Sequence, residues 1–179
     1  MKLQRIGLVL LVVLLLGSVG AASAAEKVIF TDGLENIDPV TKLPQGWTIF
    51  SQNNGDAGSP SADIVRSGKY SWFMDDPDNT VSLGIRSPRI PAEAGKLYRA
   101  SAYVYTMAVT TNVYIEFWDA AGKRIVAEAV KQSVRNEWEE LSITKEAPAG
   151  TASVSVILYS QQLNKGVQYF DDVTIVQLD

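Results

Sequence analysis

Tyr169-Phe170-Asp171-Asp172-Val173-Thr174-Ile175-Val176 sets two adjacent acids among aromatic and β-branched residues. That composition predicts a β-strand, and a carboxylate in a half-buried strand needs a partner, because unpaired buried charge is costly. The chain has no histidine, and few lysines or arginines lie near this stretch in sequence. A hard cation is the natural counter-charge, and calcium takes carboxylate and backbone oxygens. Near the other end, Phe30-Thr31-Asp32-Gly33-Leu34-Glu35 puts further acids in a similar setting. The expectation is that the first and last segments meet in space and are clamped there, with the sheets formed by the chain between them.

The 179 residues, 46% hydrophobic and 20% charged, suit one globular domain. Net charge is −4. Lys2 and Arg5 belong to a leader without acids, so the remainder is two charges more negative. An acidic chain without a basic cluster is a poor partner for nucleic acid, whose binding rests on Lys and Arg against phosphate. Cysteine is absent, which excludes disulfides, thiolate metal sites and a lipid-modified cysteine. The absence of histidine removes the commonest residue of zinc and triad chemistry.

Residues 1–25 have the parts of a secretory signal: Lys2 and Arg5, the apolar run Ile6–Leu16, and Ala22-Ser23-Ala24-Ala25 for cleavage. Removal of this segment leaves 26–179 as a single secreted domain with no stable membrane insertion. An uncleaved anchor is the alternative, since Ile6 to Ala25 is about long enough to span a bilayer.

The remaining chain reads as strands and turns. Strands are expected at 27–30, 70–74, 81–86, 97–106, 112–118, 124–130, 137–144, 152–159 and 167–177. Residues 31–62 are loop-rich, with turn chemistry at Asp38-Pro39, Pro44-Gln45-Gly46, Asn53-Asn54-Gly55 and Gly58-Ser59-Pro60. Pro88 and Pro91 exclude a regular central strand between them. Residues 120–133 are ambiguous between helix and strand. Within 112–118, Val113, Ile115 and Phe117 face one way and Tyr114, Glu116 and Trp118 the other. Short strands separated by frequent turns predict an all-β sandwich or barrel, and adjacent terminal strands make it a jelly roll.

In order along the chain come Asp32-Gly33-Leu34-Glu35, Ser67-Gly68-Lys69-Tyr70-Ser71, Ala94-Gly95-Lys96-Leu97-Tyr98, Phe117-Trp118-Asp119, Trp138, Ala147-Pro148-Ala149-Gly150-Thr151 and Tyr169-Phe170-Asp171-Asp172-Val173. This series resembles the carbohydrate-binding modules of the galactose-binding-like jelly-roll type, families 4, 9, 16 and 22 (the CenC-like group). The resemblance implies a structural Ca2+ where the termini meet, held by the Glu35 and Asp171 side chains and the Gly33 and Lys69 carbonyls. It also implies a polysaccharide stacked on aromatic rings of the concave sheet, since a sugar ring has an apolar face and a hydroxyl rim. In standard pairing that sheet holds 81–86, 112–118, 124–130 and 152–159, so the ligand residues are Tyr114, Glu116, Trp118 and Tyr159. Tyr114 and Trp118 lie about 13 Å apart on one face. Trp47, Trp72 and Trp138 are assigned to core or edge packing.

Catalysis is not expected. Glycoside hydrolysis needs two carboxylates across a cleft, whereas Asp75, Asp76 and Asp78 fall in a turn and Glu139-Glu140 point to opposite faces of a strand. No nucleophile elbow, phosphate loop or metalloprotease helix occurs. The competing expectation is a structural or adhesive domain on the cell surface that binds a protein partner.

Overall fold

The structure is a computed structural model that describes residues 26–53, 55–107 and 111–178. The leader expected at 1–25 lies outside them. Among the described residues twelve strands run in the order β1 Glu26–Asp32, β2 Thr48–Ser51, β3 Ser59–Ser61, β4 Ser71–Asp76, β5 Leu83–Arg86, β6 Ile90–Pro91, β7 Leu97–Thr106, β8 Thr111–Trp118, β9 Arg124–Lys131, β10 Trp138–Glu146, β11 Ser153–Ser160 and β12 Gly166–Leu178. They form two antiparallel sheets packed as a jelly-roll sandwich. The first has the order β10-β7-β12-β4-β3, with β1 also on β12, and the second has the order β2-β5-β11-β8-β9, with β6 also on β11.

The inner faces follow from period-two alternation. Val113, Ile115 and Phe117 of β8 and Val154, Val156 and Leu158 of β11 are buried against Trp72, Met74, Ala100, Ala102, Val104, Phe170, Val173 and Ile175 of the first sheet. Each large apolar side chain so buried contributes about 1.5–3 kcal/mol. Trp72 and Trp47 are in this core, while Trp138 packs its ring on Tyr105 at the sheet edge, centroids 5.8 Å apart.

Three short strands lie where the sequence predicts loops or a proline break. β2 and β3 fall inside 31–62, and β6 is a two-residue edge strand ending on Pro91. Each is too short to show a periodicity of its own and exists by pairing with a longer neighbour: β2 on β5, β3 on β4, β6 on β11. Residues 120–133 resolve into a hairpin and strand β9. Between β5 and β6, Ser87 keeps the ladder continuous. Its N–H donates to the Val156 carbonyl and its Oγ accepts the Val156 N–H, both at 2.9 Å.

The terminal strands are neighbours, as expected. β1 runs along the second half of β12 from Glu26↔Leu178 to Asp32↔Val173, and β4 pairs with the first half. The switch comes at a bulge between Asp171 and Thr174, where Asp172 adopts φ 48°. The extra residue moves the inward parity from Gln168 and Phe170 to Val173 and Ile175.

Candidate functional site

The bulge brings together the corner at which the sequence places calcium. Asp171 is fully buried. Its Oδ2 accepts the backbone N–H groups of Arg66 (3.0 Å) and Ser67 (3.1 Å), and its Oδ1 accepts that of Asp172 (2.8 Å). Glu35 Oε1 accepts the N–H groups of Lys69 (2.7 Å) and Tyr70 (3.0 Å). Gly68 at φ +67° permits this, because a Cβ there would sit 2.1 Å from Glu35 Oε1. Gly33 adjoins Glu35 and the neighbouring Asp172: a Cβ on it would lie 3.6 Å from Glu35 Cγ and 3.9 Å from Asp172 Oδ1. The arginine of the same loop, Arg66, pairs with Asp172 and lies 3.3 Å from the centroid of the Tyr103 ring. Burial pushes the Asp171 carboxyl up, opposed by the Ser67 and Arg66 amides and reinforced by the Asp172 carboxylate. Glu35, Gly33, the backbone of Lys69 and Asp171 thus meet at one corner. The two carboxylates are also the acceptors that tie residues 66–70 to β12 and to the segment that follows β1, so the donor set fits a structural cation only through oxygen lone pairs beyond those five amides.

The second site is the outer face of the β2-β5-β11-β8-β9 sheet. Its four sequence-predicted residues are all there and divide into two groups. Tyr114 and Tyr159 are half-buried and meet edge to face, centroids 5.8 Å apart. Phe50 of β2 extends the row, 5.4 Å from Tyr159. Gly84 makes that approach possible, since a Cβ at this position would fall 2.9 Å from Tyr159 Cδ2 and 3.2 Å from Phe50 Cδ1. Burial, with the Tyr159 hydroxyl beside it, pushes the Tyr114 hydroxyl pKa up. At neutral pH Tyr114 therefore offers a neutral ring and a hydroxyl donor.

Glu116 and Trp118 are placed otherwise than an open platform requires. Glu116 is fully buried. It accepts Arg86 Nε (2.7 Å) and Nη2 (3.3 Å), Arg124 Nη1 (2.9 Å) and Ser155 Oγ (3.1 Å). Trp118 is 7% exposed. Its Nε1 donates to Ser155 Oγ at 2.9 Å, and the guanidiniums of Arg89 and Arg86 stand 3.7 and 4.9 Å from its ring centroid. Cation–π attraction of this kind strengthens when the ring is withdrawn from water. Arg86 is also 4.9 Å from the Phe50 ring. The exposed surface here is thus a row of rings, Phe50, Tyr159 and Tyr114, beside an array of three guanidiniums resting on Glu116 and Trp118.

Phe50, Gly84, Arg86, Arg89 and Arg124 are absent from the sequence-predicted set. One signal for Arg86 exists: within 81–86, parity puts Gly84 and Arg86 opposite the apolar Leu83 and Ile85. Phe50 sits in a run of turns, and Arg89 sits between two prolines, where periodicity is silent.

No family model matches the sequence, and no curated protein matches it. Solved structures do share its architecture. The CBM22-1 xylan-binding domain from Paenibacillus barcinonensis superposes at a TM-score of 0.56 with 17% identity, over 88% of this chain and 99% of that one. A family 16 carbohydrate-binding module gives 0.55 and 14%, over 73% and 90%. The enzymatically active domain of tailspike protein 4 of bacteriophage CBA120 gives 0.61 and 15%, over 73% of this chain and 19% of that one. At such identities the likeness is one of fold: the chain is a β-sandwich with the jelly-roll architecture of carbohydrate-binding modules.

Proposed function

We propose that the chain is a secreted, non-catalytic carbohydrate-binding module that takes a polysaccharide on the outer face of the β2-β5-β11-β8-β9 sheet. The observation that carries this reading is the row of rings at Phe50, Tyr159 and Tyr114 on the sheet face, flanked by guanidinium donors. Rings take the C–H face of a sugar and the donors take its hydroxyl rim. Tyr114 and Tyr159 do the stacking. Glu116 and Trp118 hold Arg86, Arg89 and Arg124 in place. The leader at 1–25 supports export, and the likeness of fold to xylan-binding and other carbohydrate-binding domains supports the ligand class. Each acid of this face or of the corner is engaged: Glu116 with two arginines, Asp171 and Glu35 with backbone amides. That supports binding rather than hydrolysis. A structural calcium at Gly33, Glu35, Lys69 and Asp171 belongs to the same proposal, supported by the convergence of those residues.

Affinity electrophoresis of the protein through gels containing a panel of soluble polysaccharides tests the reading. Retardation by at least one polymer is expected, weakened about tenfold in Tyr114→Ala and in Tyr159→Ala with folding retained, the scale of one lost ring contact. A folded protein that no polymer retards, or retardation unchanged in both variants, overturns the proposal.

A further inference from the structure

We infer that the polysaccharide taken by this face is an acidic one, bearing uronate carboxylates that Arg89, Arg86 and Arg124 grip beside the tyrosines; this rests on the reading above. Two guanidiniums, those of Arg86 and Arg124, bond the Glu116 carboxylate and a third, that of Arg89, lies on the neighbouring Trp118 ring, on a chain whose net charge is −4. Local charge on this face is therefore opposite in sign to that of the chain as a whole. Like charges so placed repel one another, and Glu116 compensates only one of them.

The donors are also unspent. A guanidinium carries five N–H groups. Glu116 takes Nε and Nη2 of Arg86 and Nη1 of Arg124, which leaves further N–H groups on each. Arg89 is exposed, and among the described residues it has no carboxylate partner; what holds it is the Trp118 ring. Lys131 adds a further cation at the end of β9, opposite Asn112. Asp119, in the hairpin between β8 and β9, accepts the Lys123 backbone N–H at 2.8 Å and, among the described residues, forms no ion pair with these arginines. A planar guanidinium fork matches a carboxylate in two parallel hydrogen bonds, so a uronate is the sugar that uses both halves of this face. Its ring stacks on Tyr114 or Tyr159, and its carboxylate meets the arginines.

The test is affinity electrophoresis of the protein in glucuronoxylan and in polygalacturonate, each against its carboxyl-reduced form, which keeps the chain and removes the charge. The acidic forms are expected to bind about tenfold or more tightly, the scale of one charge-assisted hydrogen bond. This preference shrinks as added salt screens the charges. Arg89→Gln lowers affinity for the acidic forms by about tenfold more than for the reduced forms, on the same scale. Lys27→Gln, which removes the same charge from a strand of the other sheet, alters neither. Equal binding of acidic and reduced forms overturns the inference while leaving carbohydrate binding intact. No binding to any form overturns both. Dextran sulfate bound as tightly as the uronates, with no effect of Tyr114→Ala, also overturns it, because the face would then read bulk negative charge.

Discussion

Glu116→Gln is the substitution that separates support of the binding face from contact with ligand. The change is nearly isosteric and removes one charge. Glu116 is fully buried and accepts four hydrogen bonds, three of them from guanidiniums. A glutamine keeps one acceptor oxygen and turns an NH2 donor against the N–H groups of Arg86 or Arg124. Breaking a buried ion pair by removing one partner costs about 3–5 kcal/mol. Here Arg86 and Arg124 keep 19% and 45% of their side-chain surface in water, and solvent recovers part of the loss. A destabilisation of about 2–4 kcal/mol remains. For a domain of this size each kcal/mol moves Tm by about 2–4 °C, so Tm should fall by roughly 5–15 °C. Thermal unfolding followed by circular dichroism, with urea titration to check that the m-value is unchanged, measures it. A Tm within about 2 °C of the parent, that is, under about 1 kcal/mol, refutes the argument. The arginines would then be held by something other than this carboxylate.

Two further outcomes follow from the buried acids. Asp76 is 1% exposed; Ser160 Oγ donates to its Oδ2 at 2.5 Å, and its Oδ1 has no partner among the described residues. Burial, reinforced by the Asp78 and Asp75 carboxylates, raises its pKa against the opposing Ser160 hydroxyl and Asp78 amide. As pH rises, the unfolded chain loses this proton first, at the ordinary carboxylate pKa. Between that value and the raised folded pKa the folded state holds more protons, so this residue's contribution to stability falls with rising pH and stays low above the window. Asp76→Asn should therefore raise Tm at pH 7 and change it little near pH 3; a lower Tm at pH 7 would contradict the assignment. At the corner of Glu35 and Asp171, a chelator should lower Tm and added calcium restore it, since an ion bound to the native state stabilises it by mass action. An unchanged Tm in protein shown to be ion-free would leave the amides as the sole partners of those carboxylates.

Strand parity was legible wherever a strand was long enough to alternate. Val113, Ile115 and Phe117 against Tyr114, Glu116 and Trp118 is the clearest case, and the meeting of the two terminal segments follows from their acids and apolar residues together. Exposure was not legible, because it depends on side chains from strands distant in sequence. Trp118 is covered by Arg86 and Arg89, which reach it over β11 from β5 and the loop before β6. Glu116 disappears beneath residues 30 positions before it and 8 after it. β2, β3 and β6, at four, three and two residues, exist through pairing alone, so a local pattern had nothing to report and Phe50 went with them.

The pairing of β1 with β12 has a mechanical consequence. Glu26 stands opposite Leu178, Lys27 opposite Gln177 and Val28 opposite Val176. Tension applied through residues 26 and 178 therefore loads the antiparallel ladder from one end, and its rungs open in succession instead of sharing the force as in shear. Little apolar surface of β1 is buried to resist the peeling. The first firm stop comes past Asp32, where Leu34 is fully buried and Glu35 is tied to the amides of Lys69 and Tyr70. Under load the domain should yield softly over one strand and then hold at that corner, with the ring-bearing face of the opposite sheet still in shape.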